Sequence, residues 1–234
     1  MIIYIKNYKG GVGKSTITKN LASGTAIVGQ KTCIVTFDAQ NDSYRMLTGK
    51  RWKEKNGFKE FVKTNEDYTH NLKANLFYYP LETDVFGSNM KNKLTSAFNI
   101  LRSEYDVIFI DGAPAGDNLL DQVGIENADK IVVPMIMDAY SLDGLANFLA
   151  TKEAEKVSLV IPNLYSGTKI QKAHYEAIKE YLEDTEIKIS IPLKRFSLEE
   201  ELSHEGKSIF DTEAKRSLEA RETYLSILGG IFNG

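Results

Sequence analysis

Residues 9–16 of the sequence read KGGVGKST, and they follow closely on an apolar segment at 2–5. The segment contains the G-x-x-G-K-S order of a phosphate-binding loop. The longer spacing G-x-x-x-x-G-K-[ST] is met if Tyr8 stands in place of the first glycine. The apolar segment predicts a strand before the loop, and the apolar spacing over 15–28 predicts a helix after it. This context favours a phosphate site over the alternative, a glycine-rich turn without a ligand.

Each residue type in this loop suits the binding of a triphosphate. Glycines let consecutive backbone N–H groups point at one anion, and the N-terminus of the following helix adds partial positive charge. Lys14 can reach the β- and γ-phosphates as a point charge. Ser15 offers a hydroxyl to Mg²⁺, which takes few protein ligands and keeps most of its waters. We therefore predict that the loop binds ATP together with Mg²⁺.

The rest of the chain alternates short apolar runs with helical stretches. Further strands are predicted at 32–37, 76–79, 107–110, 130–135, 157–161 and 187–191. Further helices are predicted at 91–102, 117–126 with Asp117 as its cap, 142–154, 170–182 and 213–227. Residues 40–70 are predicted to be less regular. Nearly continuous apolar strands predict an α/β fold, with a mostly parallel twisted sheet and helices on both faces.

Two aspartates follow apolar strands and are candidates for the catalytic site. Asp38 comes after the second strand and Asp111 after the most apolar one. Because ligands of open α/β sheets bind at the carboxyl ends of the strands, both carboxylates are expected to face Lys14 and Ser15. Asp111 is the candidate Mg²⁺ ligand, and capping of the next helix is the alternative role. Asp42 is a weaker rival to Asp38.

Composition narrows the function further. The 234 residues carry a formal charge of −3, which gives no global attraction to nucleic acid or acidic membrane. A single cysteine, Cys33, cannot form an internal disulfide or ligate an iron–sulfur cluster or zinc site by itself. The sequence has no signal-peptide pattern and no run of 18 apolar residues, so the cytoplasm is the expected compartment. With no repeat or flexible linker, residues 1–234 are predicted to form one domain, without an N-terminal helix-turn-helix domain.

The segment KGGVGKST resembles the deviant Walker motif of the ParA/MinD/NifH group of P-loop ATPases, in which a first lysine reaches the nucleotide of a partner subunit. The resemblance implies that Lys9 acts in trans across an ATP-bound homodimer and that Lys14 and Asp38 are the other catalytic residues. Asp38 matches the family's D-P-Q aspartate, which orients the attacking water, although Ala39 replaces the proline. The resemblance also implies a nucleotide site and a metal site. The nucleotide site comprises Gly10, Gly11, Val12, Gly13, Lys14, Ser15, Thr16, Asn163 and Pro192, and the metal site comprises Ser15, Asp38 and Asp111.

Later segments of the chain are similar to the plasmid and chromosome partition members of that group. These members hydrolyse ATP, bind DNA without sequence preference as ATP-bound dimers and respond to a centromere-binding ParB-like protein, so a nucleoid-associated location is implied. The implied DNA contacts are Lys194, Arg195, Arg216 and Arg221, while a second basic run, 50–63, and a merely solvated charged face are alternatives.

The main alternative function is a MinD-like membrane-associated positioning ATPase. Its only support is the apolar tail at 224–234, which has no Lys or Arg and is expected to be broken by Gly229 and Gly230. We therefore expect no stable membrane association. A metabolic ligase on the same fold is a third possibility, but no motif indicates a second substrate pocket.

Overall fold

The computed structural model describes residues 1–114 and 118–233. In these ranges the strands are β1 (Ile2–Ile5), β2 (Thr32–Thr36), β3 (His70–Lys73), β4 (Leu76–Tyr79), β5 (Val107–Asp111), β6 (Lys130–Ile136), β7 (Val157–Asn163) and β8 (Lys188–Ile189). The α-helices are α1 (Lys14–Ile27), α2 (Asp42–Thr48), α3 (Phe58–Thr64), α4 (Lys91–Glu104), α5 (Leu119–Asn127), α6 (Ser141–Leu149), α7 (Lys169–Leu182), α8 (Ser197–His204) and α9 (Leu218–Phe232). Short 3-10 turns lie at Ser88–Met90, Lys152–Lys156, Ile209–Asp211 and Lys215–Ser217.

The strands form one sheet in the order β3-β4-β2-β5-β1-β6-β7-β8. Every neighbouring pair is parallel except β3 and β4, which are antiparallel at the edge. β1 lies between β5 and β6, so its carboxyl end, from which the phosphate loop leaves, sits at the middle of the sheet. The predicted α/β class with a mostly parallel sheet is confirmed.

Helices cover both faces of the sheet because successive strand residues point to opposite sides. Ile2 and Tyr4 belong to one buried cluster, which also holds apolar residues of α3, α4, α5, α6 and α7. Ile3 and Ile5 belong to the other cluster, which holds residues of α1, α2, α8 and α9. Both sides of the central strands are therefore sealed from water, and Cys33 is buried as the sequence predicts.

The C-terminal helix differs from the sequence prediction. α9 continues through Gly229 and Gly230 and ends at Phe232. Ile227 and Ile231 are buried in the second cluster on either side of the glycines, so packing stabilises the helix across them. Glycine costs a helix only about 1 kcal/mol relative to alanine, which such burial can offset.

The segment 40–70 is more regular than predicted, since it forms α2, α3 and the start of β3. The last predicted strand, 187–191, is reduced to Lys188–Ile189, and the helix predicted at 142–154 ends at Leu149 before a 3-10 turn. Asp117, the predicted cap of α5, lies outside the described residues. The Asn118 side chain accepts a hydrogen bond from the Asp121 amide there and caps α5.

Candidate functional site

The predicted phosphate loop connects β1 to α1, and its backbone shape depends on glycine. Gly13 has a φ of 90° and immediately precedes the first residue of α1. A Cβ at Gly13 would also lie 2.2 Å from Nδ2 of Asn163. That side chain donates a 2.8 Å hydrogen bond to the Val12 carbonyl. Asn163, at the carboxyl end of β7, thus stabilises the backbone of the loop through this hydrogen bond.

Lys14 lies over this loop with its ammonium group largely removed from water. Its Nζ donates a 3.0 Å hydrogen bond to the carbonyl of Lys9. Burial lowers the pKa of Lys14, while the nearby Asp111 and Asp38 carboxylates raise it. A partly desolvated cation between two carboxylates interacts strongly with an added polyanion, because little water screens it.

Asp111 is the most perturbed acid of the site. It ends β5, is only 1% exposed, and burial raises its pKa to about 6. Hydrogen bonds from Ser43 and Ser15 and the charge of Lys14 act in the opposite direction. Within the described residues, its Oδ2 is buried and has no hydrogen-bond partner. An unsatisfied buried carboxylate oxygen is costly, so this atom fits a group that is bound during function.

The donor set around Asp111 suits Mg²⁺ better than a metal held by many side chains. Ser15 and Ser43 supply hydroxyls beside the carboxylate. The described part of the chain contains no group of three or more His, Cys, Asp or Glu side chains that could hold a metal ion. Mg²⁺ typically needs only one or two carboxylates besides water and phosphate oxygens, and these residues can provide that.

Asp38 lies two residues beyond β2, beside the same site. Its Oδ1 accepts a 2.9 Å hydrogen bond from the amide of Gln40, which orders the turn. Its charge acts on both Lys14 and Asp111. The rival, Asp42, is exposed as a residue, but partial desolvation of its carboxyl group and the charge of Asp38 raise its pKa. Asp38 is therefore the carboxylate better placed to act beside Lys14.

Lys9 is engaged within its own chain. Its Nζ lies 2.5 Å from Oδ2 of Asp138, and the two side chains are 51% and 34% exposed. Burial alone would raise the pKa of Asp138, but hydrogen bonds from Lys9, the Tyr140 amide and Ser141 lower it. A cavity of about 290 Å³ opens beside this pair, between the loop and α6.

Three residues of the site escaped the sequence analysis. Asp138 follows β6, so the strand-end rule that selected the other two aspartates would have found it. Ser43 reaches Asp111 from α2. Asn41 has a φ of 51° and exchanges hydrogen bonds with the Leu81 backbone at 2.9 Å, which fixes the segment after Asp38. Asparagine tolerates this left-handed backbone, so an Asn after a strand-end aspartate was a usable signal.

The remaining predicted residues lie at three separate places. Ser15 and Thr16 lie in the first turn of α1, and Pro192 lies half-buried in the segment after β8. The four predicted DNA contacts lie away from the phosphate loop in the sequence, before α8 and around the start of α9.

Comparison with known proteins identifies the family of this chain. A family model described as an AAA domain matches residues 1–160. The Bacillus subtilis (strain 168) sporulation initiation inhibitor protein Soj is 27% identical over 229 residues, which cover 89% of each chain. This chain belongs to that AAA-domain family, as a ParA-type ATPase of the ParA/MinD group.

Two solved structures share the fold of this ParA-type ATPase. A putative plasmid partition protein from Borrelia burgdorferi B31, bound to AMPPNP, has a TM-score of 0.72 at 19% identity, with 97% of each chain covered. The septum site-determining protein MinD from Pyrococcus horikoshii OT3, complexed with Mg-ADP, has a TM-score of 0.75 at 16% identity, over 99% of this chain and 95% of that chain. Both are similar in overall architecture.

The apolar tail of this ParA-type ATPase is packed. Ile227, Leu228 and Ile231 of α9 are buried against the sheet, whereas Leu225 and Phe232 are exposed. Over the described ranges, no helix combines the length and the apolar character needed to cross a membrane. Three apolar residues of the tail that suggested a MinD-like membrane role are therefore part of the core.

Proposed function

We propose that this partition ATPase uses ATP and Mg²⁺ to switch between a monomer and a DNA-binding homodimer. A single observation carries the proposal: Lys14, Asp38 and Asp111 converge at the carboxyl ends of neighbouring strands, with Lys9 on the same loop. The two similar structures, which are bound to AMPPNP and to Mg-ADP, support a nucleotide as the ligand.

In this proposal the phosphate loop cradles the β- and γ-phosphates through its backbone N–H groups, and Lys14 exchanges the Lys9 carbonyl for phosphate oxygens. Ser15 and Asp111 would hold Mg²⁺, the latter through its unsatisfied Oδ2. The bound ion would neutralise charge on the phosphate oxygens. Asn163 and Pro192, after β7 and β8, would border the base.

Hydrolysis then depends mainly on positioning and on charge neutralisation. Asp38 orients a water whose oxygen attacks the γ-phosphorus, and the bond to the β–γ bridging oxygen breaks to release ADP and phosphate. Lys14 and the partner subunit's Lys9 balance the negative charge on the transferring group. No strong general base is required for this reaction.

Dimerisation requires Lys9 to leave Asp138. An exposed ion pair of this kind contributes only about 0–1 kcal/mol, so a bound triphosphate with several negative charges can compete for the lysine. The pair would keep Lys9 occupied in the monomer and release it when a partner subunit brings its own nucleotide.

Substitution of the two lysines tests this mechanism. Lys14→Ala should lose ATP binding. Lys9→Ala should bind ATP but fail to hydrolyse it, and the exposed Lys93→Ala serves as the matched control. Binding is measured with a fluorescent ATP analogue and turnover by phosphate release. Normal turnover by Lys9→Ala would rule out action in trans.

The cellular role in the proposal is DNA segregation. The ATP-bound dimer binds nucleoid DNA without sequence preference, and a centromere-binding ParB-like partner stimulates hydrolysis and release. Asp38→Ala should bind ATP and stay dimeric in size-exclusion chromatography. If about six phosphates are neutralised per dimer, log affinity should fall against log salt with a slope of roughly −5. A slope near zero would contradict the proposed binding of the dimer to DNA.

A further inference from the structure

The ion pairs of the C-terminal region reduce its attraction for an anionic partner. Lys194 pairs with Glu219, and Arg216 pairs with Glu201. Arg195 lies 3.8 Å from Glu200. Each of these exposed cations therefore has a carboxylate beside it, and a phosphate would have to compete with that carboxylate.

Arg221, the fourth of the predicted DNA contacts, is partly engaged within the protein. Its Nη2 donates a 2.9 Å hydrogen bond to the Thr212 carbonyl, and its Nε is buried. Its guanidinium is therefore only partly available to a ligand in solution.

In the loop between α2 and α3, by contrast, the cations are not paired with carboxylates. Lys50, Arg51, Lys53 and Lys55 are all exposed, and among the described residues none has a carboxylate within 4 Å. The single acid of this stretch, Glu54, lies 3.5 Å from His70 instead. These four cations over six residues therefore form no ion pair within the described residues, and Glu54 is the one acid among them. When such unpaired cations neutralise phosphates of a nucleic acid, the counterions condensed on those phosphates are released, which favours binding.

The basic character is confined to this first half of the run. Lys59, further along, donates from Nζ to the Val85 carbonyl at 2.5 Å, and Lys63 pairs with Glu60 at 2.7 Å. The available charge is therefore concentrated at residues 50–55, which we name the basic loop.

The basic loop is connected directly to the nucleotide site. α2 begins four residues after Asp38, carries Ser43 against Asp111, and ends at Thr48, immediately before the loop. A seven-residue helix spans only about 10 Å. Rearrangement of the segment around Asp38 would therefore move the base of the basic loop.

Contacts at the C-terminal end of α2 hold the loop in position. Gly49 donates to the Arg45 carbonyl at 2.8 Å, and a Cβ on Gly206 would lie 2.6 Å from the backbone of Thr48. These contacts place the start of the loop next to the end of α8.

We infer that the basic loop is the main DNA-contacting surface of this ATPase, with the phosphate backbone of duplex DNA as its partner. Its side chains are exposed cations, which suit contacts to phosphates rather than to bases. Trp52 is partly buried, and no large apolar side chain between residues 42 and 64 is exposed, so the loop offers little for insertion into a membrane. The inference rests on the DNA binding in the proposed function and assigns its location.

The test compares two multiple variants of the full chain. One carries Lys50→Gln, Arg51→Gln, Lys53→Gln and Lys55→Gln. The other carries Lys194→Gln, Arg195→Gln and Arg216→Gln, as the control from the competing surface. Each is loaded with Mg²⁺ and a slowly hydrolysed ATP analogue, and binding to a 60-base-pair duplex of arbitrary sequence is followed by fluorescence anisotropy at several salt concentrations. Dimer formation and thermal unfolding are checked for both.

The basic-loop variant is expected to lose at least about tenfold in affinity at 100 mM salt. Its salt slope should become shallower by about 0.9 for each phosphate that the loop no longer neutralises. The C-terminal variant should change less than about threefold, and both should still dimerise. The inference is overturned if the basic-loop variant binds DNA normally or if only the C-terminal variant loses affinity. In a parallel sedimentation assay with phosphatidylglycerol vesicles, loss of vesicle binding by the basic-loop variant beside unchanged duplex binding would also overturn it.

A wild-type protein that dimerises with the analogue but shows no affinity for the duplex would overturn both the location and the DNA-binding part of the proposed function. Weak binding by the basic-loop variant beside strong wild-type binding would support both. The two kinds of failure are therefore distinguishable in the same titration.

Discussion

Replacement of Asp111 by asparagine should stabilise the protein in the absence of metal and nucleotide. Burial raises the carboxyl pKa from its ordinary value of 3.8 to about 6. Each tenfold change in the ionisation constant corresponds to about 1.4 kcal/mol, so keeping this group ionised at pH 8 costs the folded state about 3 kcal/mol. Asparagine has nearly the same shape and no charge, and it therefore avoids that cost.

The sign of the effect depends on pH. Between about pH 4 and 6 the folded protein holds a proton that the unfolded chain has released, so wild-type stability falls as pH rises through this window. Asp111→Asn lacks this contribution. Its advantage should therefore be near zero at pH 4, grow through pH 6 and level off at up to about 3 kcal/mol by pH 8.

Urea unfolding followed by circular dichroism, in EDTA and at five pH values from 4 to 8, measures this difference. Asp84→Asn, an exposed carboxylate in a loop, is the matched control and should follow the wild type. Addition of Mg²⁺ and ATP should stabilise the wild type and not Asp111→Asn. A constant difference between Asp111→Asn and wild type at all pH values would refute the reasoning from burial.

Three further substitutions test the phosphate loop, a buried hydrogen bond and the C-terminal helix. Gly13→Ala should lower ATP affinity more than about tenfold in a fluorescent-nucleotide titration, because its Cβ would lie 2.2 Å from Asn163 Nδ2 on a backbone with φ of 90°. Tyr4→Phe should lower the free energy of unfolding by about 1–3 kcal/mol, because the buried hydroxyl donates to Asp121 at 2.5 Å, and an unchanged urea midpoint would contradict this. Gly229→Ala should raise the free energy of unfolding by about 0.4–1 kcal/mol, since space is open there in α9, and a lower melting temperature would contradict this.

Local sequence patterns predicted the parts of the structure that depend on neighbouring residues. The phosphate loop, the apolar strands and the aspartates at the strand ends follow from spacing along the chain, and the structure brings Asp38 and Asp111 to Lys14 as expected. α2 and α3 were missed because they are short, and their buried residues, such as Leu47 and Phe58, pack into clusters formed largely by elements distant in the sequence.

Long-range pairs could not be predicted in this way. Lys6 and Asp121 form a buried ion pair at 2.6 Å, although 115 positions separate them in the chain. A lysine after an apolar strand gives no signal for such a partner, because the pairing depends on how α5 packs beside β1. The same holds for the counter-charges of Lys194 and Arg216, which decide how available those cations are.

Buried Lys19 gives α8 a part in movements of the nucleotide site. Lys19 of α1, the helix that starts at the phosphate loop, pairs with Glu199 of α8, and Gly206 beyond α8 contacts the Thr48 backbone at the end of α2. Through these contacts α1, which starts at the phosphate loop, and α2, which follows Asp38, are both attached to α8 and the residues just after it. If the site closes around ATP, either α8 moves together with α1 and α2 or these contacts break. Amide hydrogen exchange in α8 would then respond to nucleotide although none of its residues lies at the phosphate loop.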